Sequence, residues 1–205
     1  MIKGFFALVF SICLSGCVSV LPEAAAPAPR YTISSVTPQS VPSSPVTWSL
    51  VVSDPTASQL FNTVKVPVMA APNRFEFLAG SEWVDRVPVL FQRALVRTFE
   101  NSGAITNVGD FTVLPVSDYV LRTDIRAFHA DLAGETPTAT IEIFARLIAD
   151  DGKILTAQRF VARETARLDT PESLMPAFDR ALNQVLGQIT EWTFETAPAA
   201  REPGA

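Results

Sequence analysis

Only two cysteines and one histidine occur in 205 residues, and both cysteines, Cys13 and Cys17, lie at the extreme N-terminus. Beyond Cys17 no thiol remains to form a disulfide, act as a nucleophile or complete a zinc site. His129 is the sole imidazole, so a transition-metal site would have to be built from carboxylates, and no ligand spacing for one is present. Glycine is scarce, with nine residues, and the phosphate-cradling Gly-x-x-x-x-Gly-Lys, the Gly-x-Gly-x-x-Gly turn and the Gly-x-Ser-x-Gly elbow are all missing. Positive charge is also in short supply: 16 Lys and Arg stand against 21 Asp and Glu, a formal net charge of −5. No run of four basic residues occurs, which argues against a grip on nucleic acid or anionic headgroups. The longest apolar run, Phe5 to Leu14, is half the roughly 20 residues a membrane-spanning helix requires.

What is present begins at that run. Lys3, the apolar stretch and then Leu14-Ser15-Gly16-Cys17 have the layout of a bacterial secretory signal. The last four residues resemble the lipobox of bacterial lipoproteins, which implies cleavage ahead of Cys17 and lipidation of its thiol. Residues 1–16 are therefore expected to be a signal peptide, and the anchor a covalent lipid on Cys17, with no other cofactor. Each buried methylene contributes about 0.8 kcal/mol, so two or three acyl chains give near-permanent attachment. Val18, rather than aspartate, follows Cys17, which on the lipoprotein resemblance implies outer-membrane sorting, facing the periplasm.

Residues 17–45 read as a lipidated tether. Pro22, Pro27, Pro29, Pro38, Pro42 and Pro45 sit among alanine and serine with little apolar periodicity, a composition that cannot offset ordering entropy. The expected span is roughly 30 Å as a coil and about 85 Å in polyproline form. Residues 196–205 form a second disordered end. The domain is expected over 46–195, held together by its apolar core alone.

Within it, Trp48, Leu50 and Val52 alternate as a first strand, and Val64, Val66 and Val68 as a second, with Pro67 favouring an edge. Arg74 to Leu78 is a short third candidate. Val84, Val87, Phe91, Ala94, Leu95 and Thr98 share one helical face, with Pro88 in the first turn and Gly103 as terminator. Two long alternating strands follow. Tyr119, Leu121, Thr123, Ile125 and Ala127 oppose Val120, Arg122, Asp124 and Arg126; Ala139, Ile141, Ile143, Ala145 and Leu147 oppose Thr140, Glu142, Phe144 and Arg146. Asp150-Asp151-Gly152-Lys153 signals a hairpin, returning through Ile154 to Thr165. Thr170-Pro171 then opens an amphipathic helix carrying Leu174, Phe178, Ala181, Val185, Ile189 and Trp192. The pattern predicts an α+β fold: a two-layer sandwich of a mainly antiparallel sheet with two amphipathic helices on one face.

No catalytic constellation emerges. His129 reads as a surface histidine at a strand end, and Asp150 and Asp151 as turn residues. Trp83, just ahead of the first helix, is either a core residue or a candidate partner contact, since tryptophan is favoured at interface centres.

Three stretches carry a resemblance to a known family. Ser81-Glu82-Trp83-Val84-Asp85 with Val87 and Leu90, Asp118-Tyr119-Val120-Leu121, and Ala177 to Ile189 with Ala181-Leu182 and Leu186 resemble the ABC-type transport auxiliary lipoproteins. The likeness covers roughly Trp48 to Phe194; the family's aromatic–leucine and proline–arginine segment after the second strand is lacking at Ala70 to Arg74. The resemblance implies a non-catalytic accessory of an ABC system that moves lipid through MCE-domain subunits. Its implied partners are the periplasmic MCE-domain subunit and the membrane, reached through the lipid, with a homo-oligomer compatible and nucleic acid excluded. A structural or assembly lipoprotein of another envelope machine is the alternative; an enzyme comes a distant third.

Overall fold

The computed structural model describes residues 28–198, so Cys17 and the signal segment lie outside the described residues. Eleven elements follow in order: β1 (Arg30–Tyr31), β2 (Leu50–Val52), β3 (Thr56–Ala57), β4 (Lys65–Ala71), β5 (Arg74–Trp83), α1 (Val87–Ser102), β6 (Val108–Gly109), β7 (Tyr119–Asp131), β8 (Thr138–Ala149), β9 (Ile154–Thr165) and α2 (Pro171–Thr196). The nine strands form one sheet.

The sheet is organised around β7. Its 13 residues extend about 43 Å, longer than any strand that precedes it. The chain from β2 to β4 therefore walks along one edge of β7 in the same direction. Leu50 pairs with Tyr119, Thr56 with Asp124 and Val68 with Ala130, all parallel. The other edge takes β8 antiparallel, and β9 follows antiparallel on β8. The α+β class is as expected, but the sheet is mixed. The long ladders come from hairpins and are antiparallel; the short N-terminal pairings are parallel because α1 carries the chain back before β7 begins.

The β4–β5 hairpin closes between Ala71 and Arg74. Pro72 and a left-handed Asn73 (φ 62°) make its turn, the proline-then-positive-φ signature of a type II turn. The segment short of the family pattern is thus a two-residue loop. β5 runs on to Trp83, well beyond the Leu78 limit read from sequence. Helix α1 begins at Val87 with Pro88 in its first turn and ends at Gly103, φ 65°. Val84, placed on its face by periodicity, instead leaves β5 and is 49% exposed. In α2, Thr170 takes the cap position without a side-chain bond; its carbonyl accepts from the N–H groups of Ser173 and Leu174.

Leu121, Ile125, Ile141, Ile143 and Leu147 are fully or almost fully buried and share one core cluster with Phe91, Leu95 and Phe99 of α1 and Phe178, Leu182 and Val185 of α2. A bulge between Ile125 and Ala127 shifts the inward parity of β7. Phe128 and Ala130 consequently turn to the core in place of Ala127.

The expected tether is the largest correction. Residues 18–27 lie outside the description, but from 30 onward the chain is bound to the domain. Arg30 and Tyr31 pair with Glu82 and Trp83, and Ile33 is buried. Ser34 donates through its N–H (3.0 Å) and hydroxyl (2.7 Å) to Asp179 Oδ1. The N–H groups of Gln39 and Ser40 both donate to Glu191 Oε1, and Asn101 donates to the carbonyl of Val36. The segment is a strap across both helices. Its few apolar side chains, set among prolines and serines, carry too little periodicity to read as structure.

Candidate functional site

Trp83 is a core residue and offers no partner contact. It is 2% exposed, with Phe128 and Phe178 edge-on at 5.7 and 5.5 Å. This geometry adds about 0.5–1.5 kcal/mol per pair beyond burial. The stack ties β5, β7 and α2 together.

His129 is not at the surface either. The bulge in β7 sends its ring to the face of the sheet away from the helices, but there it is stacked on Phe61 at 6.2 Å and met edge-on by Phe75 at 5.2 Å. Its Nδ1 is buried without a hydrogen-bond partner. Desolvation lowers its pKa below the ordinary 6.5; Asp131 opposes that shift and Arg163 reinforces it. A neutral imidazole in an aromatic box has the packing of a structural residue. Asp150 and Asp151 behave as turn residues: Asp150 accepts from the N–H of Asp151 and Asp151 from that of Lys153. Among the described residues, no three His, Cys, Asp or Glu side chains are grouped to hold a metal.

A surface feature that depends on register lies on the open face of the β7–β8–β9 meander. Arg122 stands directly opposite Arg146 across the β7–β8 ladder. Arg126 and Arg146 both lie over the Phe144 ring, at 4.1 and 4.5 Å from its centre. Arg159 reaches Glu142 at 3.7 Å, and Arg163 pairs with Thr140. Five arginines thus share one face with three carboxylates, Glu142, Asp131 and Asp124, the last held by Arg126 at 3.3 Å. That gives a local charge of +2 on a chain whose formal charge is −5.

Like charges directly opposed across strands are destabilising. Neither Arg122 nor Arg146 has a carboxylate within 4.0 Å among the described residues. Both open into a cleft of about 450 Å³ that Asp54, Thr56 and half-exposed Phe111 also line. Such a face favours anionic over cationic groups. The alternation of β7 and β8 already placed Arg122, Arg126 and Arg146 on one side; the β7–β8 hairpin, turning through residues 132–137, brings them together. Arginines distant along the chain become a patch only through register.

At the far end of β7, Asp118 is held below the usual carboxylate range because the hydroxyl and N–H of Ser49 donate to it at 2.6 and 2.7 Å. This clamp fixes β2 beside the start of β7.

Comparison with known proteins adds a family. The sequence model described as the ABC-type transport auxiliary lipoprotein component matches residues 31–190. An uncharacterized protein of Bradyrhizobium diazoefficiens is 30% identical over 173 residues, which is 82% of this chain and 46% of that protein. The chain therefore spans about half the length of this curated relative. The crystal structure of a Xanthomonas campestris protein superposes with a TM-score of 0.76 at 31% identity, covering 82% of this chain and 96% of that one. A second solved structure, of an uncharacterized protein, shares the fold alone, with a TM-score of 0.61 at 14% identity over 79% and 99% of the two chains.

Proposed function

The chain belongs to the family of ABC-type transport auxiliary lipoprotein components, and from that membership we propose that it is a non-catalytic, lipid-anchored accessory of an ABC system moving lipid through MCE-domain subunits. The observation that carries the reading is the family match, which spans the strap, the sheet and most of α2. Its action is binding. The side chains weighed as catalytic have structural occupations, His129 in an aromatic box and Asp150 and Asp151 in a turn.

Cys17 is the lipidation site, and the outer membrane, facing the periplasm, is the destination. The partner is the periplasmic MCE-domain subunit. A local +2 patch on an acidic chain suits an acidic protein surface better than nucleic acid, which would be repelled by the whole-molecule field. The test is photo-cross-linking in cells, with the reactive group placed in turn on the open sheet face, on α1 and on α2. Capture of an MCE-domain subunit is expected; its failure from every face, with the protein folded and membrane-attached, overturns the reading.

A further inference from the structure

β9 is the last strand of the sheet. It pairs with β8 and, among the described residues, with no other strand. Two hydrogen bonds at its end fix which backbone groups face outward. The N–H of Ala166 donates to the carbonyl of Pro137 at 2.8 Å, so residues 166 and 137 form a hydrogen-bonded pair. In an antiparallel ladder such pairs alternate with pairs that exchange no bonds. The register from Thr138–Thr165 to Phe144–Arg159 is unbroken. Arg163, Val161 and Arg159 therefore fall at non-bonded positions and turn both N–H and C=O toward the free edge. Thr165 obeys the same parity, and its outward carbonyl accepts from Arg180 Nη2 at 3.1 Å. That bond closes one end of the edge and leaves six backbone groups of the three residues open.

Those same residues carry the open-face side chains. Along the edge they read arginine, valine, arginine, with Arg159 and Arg163 exposed and Val161 partly so. From Thr156 to Thr165 the strand has neither proline nor bulge; the device that guards it against indiscriminate pairing is charge, on Arg159 and Arg163. A strand added here meets a ready hydrogen-bond ladder, and alternate side chains on its near face land beside the arginines and the valine.

We infer that β9 is a docking edge for an extended protein segment of the pattern acidic-x-apolar-x-acidic, which adds antiparallel as a tenth strand. The acidic residues sit opposite Arg159 and Arg163, and the apolar one on Val161. Arg122, Arg126 and Arg146 supply the wider positive field that selects the sign of the partner. The inference deepens the accessory reading by giving its partner a recognition element, and rests on that reading only for the partner's being protein.

The test uses the full chain and two labelled peptides, one built on Glu-Thr-Val-Thr-Glu and the other with lysine in place of glutamate, read by fluorescence anisotropy. The acidic peptide is expected to bind and the basic one not. The double variant Arg159→Glu/Arg163→Glu should weaken the acidic peptide by about tenfold, as two exposed ion pairs would, and acquire the basic one. Val161→Pro removes an N–H that β8 does not use and is tolerated at an edge; it should abolish binding while the protein still melts cooperatively. Should that variant fail to fold, the charge swap decides alone. Equal binding of both peptides, no exchange of preference in the double variant, or full affinity in a folded Val161→Pro protein would overturn the inference. So would a concentration-dependent dimer that excludes the peptide, or binding to anionic vesicles without binding to peptide. None of these results bears on whether an MCE-domain subunit is captured from another face, so the accessory reading stands or falls separately.

Discussion

Ile33→Ala tests whether the strap belongs to the folded unit. Ile33 is 9% exposed and part of the common core cluster, although it precedes by more than a dozen residues the position at which the sequence suggests that the domain begins. Truncating a buried isoleucine to alanine costs about 2–5 kcal/mol. The low end applies, because a surface strap can settle into part of the space, so we expect about 2 kcal/mol. In a domain of this size each kcal/mol moves the midpoint by about 2–4 °C, which gives a fall of about 4–8 °C. Asp179→Ala removes the acceptor for both bonds from Ser34; these are exposed, so the loss is about 1 kcal/mol. If the strap detaches as a unit, the double variant should cost less than the two single losses together. The assays are a thermal melt and a urea titration of the full chain, with limited proteolysis between residues 30 and 45. Cleavage there should accelerate in each variant, and a chain cut at 46 should melt below one cut at 28. An Ile33→Ala protein within about 0.5 kcal/mol of wild type, and no more readily cleaved, would refute the structural role of the strap.

Cys17→Ser should abolish incorporation of labelled fatty acid; labelling at the wild-type level would sink the lipoprotein reading. His129 takes up a proton near 6.5 when unfolded and only at lower pH when folded, so the unfolded state binds more protons between the two values. Stability should therefore fall as pH drops below 6.5, and His129→Gln should flatten that slope in urea melts at successive pH; an unchanged slope would assign the effect elsewhere. Ser49→Ala should raise the Asp118 pKa toward its ordinary 3.8, as followed by carboxyl NMR titration, and no shift would mean that the clamp does not operate in solution. Asp150→Ala/Asp151→Ala should leave cellular function intact at wild-type abundance; loss of function in that folded, membrane-attached protein would favour an enzyme.

The elements that sequence reads well are those whose side chains repeat over many residues. The alternations of β7 and β8 and the helical stripes of α1 and α2 correspond to long segments with one buried face. What escaped it depends on contacts distant along the chain. The two-residue strands β1, β3 and β6 are too short to show any period and exist because neighbouring backbone offers partners. His129 reads as a surface strand-end residue because the visible alternation stops at Ala127, whereas β7 runs on to Asp131 and Phe61 and Phe75, distant in sequence, cover the ring. Trp83 was open to two readings because aromatic residues serve cores and interfaces alike; its neighbours Phe128 and Phe178, distant in sequence, settle it. The arginine patch follows from register, the one quantity that composition and local charge runs never contain.

The strap also changes the geometry in which an accessory would work. A tether free as far as residue 45 would let the domain stand about 85 Å from its anchor in polyproline form. With the chain held to the domain from residue 30 onward, the path from Cys17, the proposed lipidation site, to Arg30 is 13 peptide steps, a reach of at most about 47 Å. The chain meets the domain at β1, which borders β5 at one margin of the sheet. From there the path crosses β5, β4, β7 and β8 before arriving at β9, five spacings or about 24 Å away. The attachment margin and the free edge are thus opposite ends of one sheet. An anchor pulling on β1 leaves β9 and its arginines clear of the anchored margin. A partner that brings an acidic strand to β9 would then be held at a distance set by the sheet itself rather than by a long flexible tether. The high effective concentration that a short tether provides would favour a machine close to the anchoring membrane over one far across the compartment.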